Sequence, residues 1–169
     1  MKIRKITTIA MFISLSVVLS VIEGMIPLIG SIIPGIKLGL ANIVILVALY
    51  ILDFKDACYI SIGRVFIVGL IRTGLFSIGF FLSLGGAISS IIFMYLFKKF
   101  SPLSVVGVSV IGSVFHCLGQ IGMAIILLKT TSIIFYLPII LILSIPTGLV
   151  IGYVAKNVLR FYESNPNVL

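Results

Sequence analysis

The chain has 169 residues, 61% hydrophobic and 9% charged, with 12 basic and 4 acidic side chains giving a net charge of +8. An average soluble domain carries roughly a quarter charged residues, and so few charges cannot cover a water-exposed surface. A soluble enzyme, a secreted disulfide scaffold and a disordered tail are excluded, and the sequence reads as a small integral membrane protein.

A helix needs about 20 mostly apolar residues to cross the roughly 30 Å hydrocarbon layer. Cut at charges, prolines and glycine clusters, the sequence predicts six spans. The first, Ile6–Ile26, has a basic start and an apolar middle. No small-x-small cleavage site follows near Ile22–Gly24, so it reads as a span and not as a signal peptide. Ala10/Ser14 and Ser16/Ser20 in it are small-xxx-small pairs, suited to close helix approach. The connection Pro27–Ile36 is apolar, with two prolines and two glycines, and suits the membrane surface or a cavity mouth better than water.

The second and third spans, Lys37–Leu52 and Ala57–Ile71, are short and lean on their neighbours or extend through their flanks. Asp53 and Asp56 bracket the turn between them and read as solvated loop residues. In the fourth span, Ile78–Phe97, the residues Ser83, Gly86, Ala87 and Ser90 form one small face. The fifth is Leu103–Leu128. The sixth, Ile133–Ala155, carries Pro146, expected to kink it, beside Gly148 and Gly152. Nothing remains for a soluble domain, so residues 1–169 read as a single all-α, polytopic, six-helix membrane domain. Cys58 and Cys117 fall inside spans and behave as small apolar residues. The sequence has no CxxC pair and no His/Cys cluster, so neither a metal nor a cofactor is indicated.

An even span count puts both termini on one side. That side would hold Lys2, Arg4, Lys5, Lys55, Lys98, Lys99, Lys156 and Arg160, against Lys37, Arg72 and Lys129 on the other, with Arg64 inside a span. By the positive-inside rule both termini are cytoplasmic. The charge is mostly a topology signal, and nucleic acid is not an expected partner because no soluble basic face exists.

Ionisable and strongly polar groups inside spans are functional candidates by default. Arg64 lies near the middle of the third span and Arg72 at its outer end. His116 lies near the middle of the fifth, with Gln120 one turn further out on the same face. Asn42 sits in the first turns of the second span, just below Lys37, and Glu23 ends the first. Together they suggest a pocket open to the outside, lined by Arg64, His116, Gln120 and Asn42, with Lys37 and Arg72 at the rim. Three cations against one carboxylate favour an anionic ligand, to which arginine can donate two hydrogen bonds at once. Each residue also has a structural reading. Arg64 could pair with Glu23 or backbone carbonyls, His116 and Gln120 could join helices, and Lys37 and Arg72 could snorkel.

The stretch Pro34–Ala57 (PGIKLGLANIVILVALYILDFKDA), then GRVFIVGLI, LSLGGAISS and VFHCLGQI, resembles the Gx transporter family, whose members carry the label heptaprenyl diphosphate synthase component I. The resemblance covers about residues 5–155, and PGIKLGLAN is its most specific part. That family is similar to the substrate-binding S components of energy-coupling factor (ECF) transporters. The resemblance implies a six-helix, prokaryotic cell-membrane protein that binds a scarce vitamin or precursor. It implies three partners, a transmembrane coupling subunit and two ATPase subunits. Lys37, Asn42, Arg64, His116 and Gln120 fall in the family's recurring segments. The connection Pro27–Ile36 would act as a lid. Docking through an Ala-xxx-Ala motif of the first helix would fall to Ala10 and Ser14.

The chain is not expected to be an enzyme. A prenyl diphosphate synthase needs two Asp-rich motifs to hold Mg²⁺, and this sequence has two aspartates in all. It also lacks a phosphate-binding GxxxxGK[ST] loop. Two alternatives stay open: a membrane accessory of polyprenyl diphosphate or quinone synthesis, and an autonomous transporter or exporter.

Overall fold

The computed structural model describes residues 2–25 and 39–164. They form six α-helices: α1 (Lys2–Glu23), α2 (Asn42–Ile51), α3 (Phe54–Val68), α4 (Ile78–Phe100), α5 (Val105–Leu128) and α6 (Leu137–Ser164). A π-helical turn, Gly69–Thr73, extends α3, and a 3₁₀ turn, Ser132–Tyr136, leads into α6. In lipid every backbone polar group must be satisfied within the protein, which leaves helices as the solution for apolar runs of this length. Four segments are long and apolar enough to cross a membrane: Ile3–Glu23, Ile78–Phe100, Val105–Leu128 and Ser132–Ser164. They present to their surroundings a coat of large apolar side chains, including Leu15, Val18, Ile142, Val150 and Phe161. The fold is a helical membrane bundle.

The sixth helix departs furthest from its expected bounds, starting at Leu137 and running on to Ser164, and the two short helices differ as well. α2 begins at Asn42 and not at Lys37, because Gly39 adopts φ +86° and residues 39–41 turn into the helix. Its 10 residues rise about 15 Å, half the hydrocarbon thickness. Val44, Ile45, Leu46, Val47, Ala48 and Leu49 are all buried, so this helix, apolar on every side, is the centre of the core. α3 carries Lys55, Asp56 and Arg64, and its π turn carries Arg72.

Helix ends follow local chemistry. The hydroxyls of Ser77 and Ser104 accept hydrogen bonds from Phe80 N and Gly107 N and cap α4 and α5. α5 stops at Lys129, in the left-handed conformation at φ 50°. α6 continues through Pro146, where the hydroxyls of Ser144 and Thr147 bond the carbonyls of Leu141 and Leu143.

Small residues let α4, α5 and α6 meet backbone to backbone. A Cβ on Gly119 would lie 2.4 Å from the Gly85 carbonyl oxygen, and one on Gly152 would lie 2.7 Å from Val106 Cα. Serines stitch the same seams: Ser90 Oγ donates to Gly112 O and Ser109 Oγ to Gly148 O, both at 2.8 Å. The small faces of α4 and α6 are therefore spent on packing within the bundle. α1 splits its pairs. Ser16 and Ser20 face inward, whereas Ala10 and Ser14 are exposed, with the Ser14 hydroxyl bonded to the Ala10 carbonyl.

One end of the bundle gathers the start of α1, the α2–α3 turn, the α4–α5 turn and the end of α6. Lys5 pairs with Asp56 there at 2.8 Å, and Lys98 Nζ donates to the Leu49 carbonyl at 2.7 Å. Asp56 thus departs from the solvated loop residue expected of it: it is buried on α3, where desolvation is offset by the ammonium of Lys5. Asp53 stays exposed, 3.8 Å from the same lysine.

Candidate functional site

The polar residues meet at the other end, where four helices converge. α1 supplies Ser20 and Glu23, α3 supplies Arg64, Val65 and Val68, α4 supplies Ser83, and α5 supplies His116. With Gly39, which precedes α2, they line a cavity of about 20 Å³. Arg64 and Glu23 are 5% and 7% exposed, so both charges are held away from solvent. Glu23 Oε1 accepts a hydrogen bond from Gly39 N, tying the end of α1 to the start of the α2 turn.

Two glycines bring the remaining polar groups in. A Cβ on Gly39 would lie 2.8 Å from Asn42 Nδ2 and 3.7 Å from His116 Cδ2. A Cβ on Gly86 would lie 2.9 Å from both Gln120 Cγ and His116 Cε1. Asn42, His116 and Gln120 therefore form a row beside the Arg64–Glu23 cavity, with His116 in the middle. All three are buried, Gln120 at 0% exposure. Asn42 Nδ2, both amide atoms of Gln120 and Ser113 Oγ have no hydrogen-bond partner among the described residues. Buried polar atoms are nearly always paired, and leaving one unmade costs about 1–3 kcal/mol. The three such atoms on Asn42 and Gln120, beside one cavity, mark a site arranged for something other than its own stability.

The expected site residues divide. Asn42, Arg64, His116 and Gln120 come together. Arg72 does not join them: it is exposed and Nη2 donates to the Gly24 carbonyl at the end of α1. Its guanidinium lies against Gly24, the residue after Glu23, and Arg72 is not among the residues that line the cavity. Lys37 and the connection Pro27–Ile36 lie outside the described residues. Within the described site the charge balance is one arginine to one carboxylate, where the sequence reading counted three cations. A cavity of about 20 Å³ has room for about one water, too little for a metabolite-sized molecule.

Ser20, Glu23 and Ser83 line the cavity; the sequence reading counted Glu23 there as the one carboxylate and placed neither serine. A signal for Ser20 existed: Ser16, Ser20 and Glu23 recur at the three- and four-residue spacing of one helix face. A carboxylate on that face at membrane depth is costly unless it has a partner.

A family model described as heptaprenyl diphosphate synthase component I matches residues 12–158. Searches of curated proteins and of solved structures returned no match.

Proposed function

The chain belongs to the heptaprenyl diphosphate synthase component I family, and we propose that it is a membrane-embedded substrate-binding component of an ECF-type transporter. Its ligand is a small anionic vitamin or metabolite precursor, captured from outside. The observation that carries this reading is the buried set Arg64, Asn42, His116 and Gln120, with unpartnered amide atoms, inside a membrane bundle. Arg64 presents a planar fork to a carboxylate or phosphate, while Glu23 is engaged by Gly39 N–H. The Gln120 amide offers one donor and one acceptor side by side, which suits an amide or heterocycle edge.

With the basic residues Lys5, Lys98, Lys156 and Arg160 at the opposite end of the bundle, the positive-inside rule makes that end cytoplasmic and the polar cavity outward-facing. ATP-driven uptake then requires a transmembrane coupling subunit and two ATPase subunits, which this chain does not supply itself. Ala10 and Ser14, exposed on α1, are the docking pair of this reading.

The family description favours a second reading, a non-catalytic membrane partner of a soluble prenyl diphosphate synthase. Co-purification separates the two: ATPase subunits support transport, and a soluble synthase supports the accessory role. The direct test identifies small molecules retained by the purified chain by mass spectrometry and then titrates them. Arg64→Ala and His116→Ala should each weaken binding at least about tenfold, the scale of a lost charged hydrogen bond. Wild-type affinity in both variants for every retained molecule overturns the site.

A further inference from the structure

At the opposite end of the molecule a second cavity, about 350 Å³, opens between the end of α2, the start of α5 and the last turns of α6. Its lining is of two kinds. Ile51, Val105 and Leu159 make an apolar floor, flanked by Tyr50 and Tyr162. Lys156 and Arg160, one turn apart on α6, stand on the rim with Glu163. A third cation is adjacent, since Lys98 Nζ lies 4.5 Å from the Tyr50 ring centroid. Glu163 makes no ion pair with either rim cation; among the described residues Lys5 pairs with Asp53 and Asp56. The first turn of α5 adds backbone N–H groups and the positive end of a helix dipole, with Val105 in the wall.

We propose that this cavity binds the phosphate headgroup of an anionic membrane phospholipid. The phosphate sits between Lys156, Arg160 and the start of α5. The glycerol and upper acyl carbons lie over Ile51, Val105 and Leu159. Three features favour a lipid over a water-soluble phosphate. The floor is apolar, the cavity lies at the helix ends where headgroups reside, and tyrosines flank it as they do at membrane interfaces. Basic pockets between transmembrane helices have the right chemistry for anionic headgroups. The inference needs only the membrane bundle and is independent of what the polar cavity at the other end binds.

The test is native mass spectrometry of the full chain in detergent, titrated with phosphatidylglycerol and, separately, phosphatidylcholine. Wild type should hold phosphatidylglycerol at least about tenfold more tightly. The exposed double substitution Lys156→Gln/Arg160→Gln should lose that preference. Glu163→Gln should tighten binding by removing a rim carboxylate. Lys55→Gln/Lys99→Gln removes the same net charge from the same end and should leave binding within twofold. Unchanged melting of the variants in phosphatidylcholine nanodiscs separates lost binding from lost folding. Equal binding of both lipids by wild type, or equal loss in the two double substitutions, overturns the proposal. Displacement of phosphatidylglycerol by millimolar inorganic phosphate also overturns the lipid assignment and makes the ligand a water-soluble phosphate.

Discussion

Replacing Gln120 by leucine should make the protein more stable and less able to bind its ligand. Gln120 is 0% exposed, and neither amide atom has a hydrogen-bond partner among the described residues. Each unmade bond at a buried polar atom costs about 1–3 kcal/mol, so two atoms set an upper bound of about 6 kcal/mol. The state unfolded within detergent also buries part of the amide, and leucine fits a space shaped for glutamine imperfectly, as volume-conserving swaps usually cost below about 1.5 kcal/mol. A net gain of about 1–3 kcal/mol remains. At roughly 2–4 °C per kcal/mol for a chain of this size, the midpoint should rise by several degrees. Cys117, buried and free, supplies the assay in a Cys58→Ser background, which removes the half-buried second thiol: a thiol-reactive fluorophore reports its exposure during a thermal ramp. The same variant should bind the retained small molecule at least about tenfold more weakly. A fall in the midpoint of comparable size would show that Gln120 joins helices through hydrogen bonds, and the functional argument from its unpartnered amide would fail.

Two further outcomes follow from the packing and the charges. Gly119→Ala places a Cβ 2.4 Å from the Gly85 carbonyl and should destabilise by about 1–3 kcal/mol through forced separation of α4 and α5. Gly122→Ala, one turn away with nothing within 4 Å, should be neutral or stabilising by up to about 1 kcal/mol; equal melting of the two alanine variants would contradict the backbone-contact account. For orientation, Thr131→Cys, between α5 and α6, should react with a membrane-impermeant maleimide in intact cells, whereas Ser164→Cys should react only after permeabilisation. The reverse pattern would invert the assignment of sides.

α4 and α5 were legible because their punctuation is local. Pro102 separates α4 from α5, and Lys129 ends α5 within the predicted bounds. His116 and Gln120, four residues apart, had to share a face of one helix. The short helices were not legible to the same degree. Nothing in the run from Lys37 to Ala41 forbids helix except the backbone of Gly39, whose φ of +86° is a tertiary outcome. The burial of Asp56 depends on Lys5, 51 positions earlier in the sequence, and the contact of Arg72 with Gly24 is equally remote. Spacing within one helix reveals faces; the partners across helices come from the packing of the whole bundle.

The seams between helices differ in kind, and that difference reaches the site. α4, α5 and α6 lock through backbone atoms, whereas α3 meets its neighbours through side chains. A Cβ on Gly63 would meet Ile13 Cδ1 at 3.1 Å, and one on Gly69 would meet Phe80 Cδ2 at 2.7 Å. His116 and Gln120 thus stand on a helix locked through backbone, while Arg64 stands on one held by side-chain contacts. On the proposed reading, a molecule gripped between them would bias the outer helices α1 and α3, and a partner that seized α1 from the lipid side would change the grip by the same free energy.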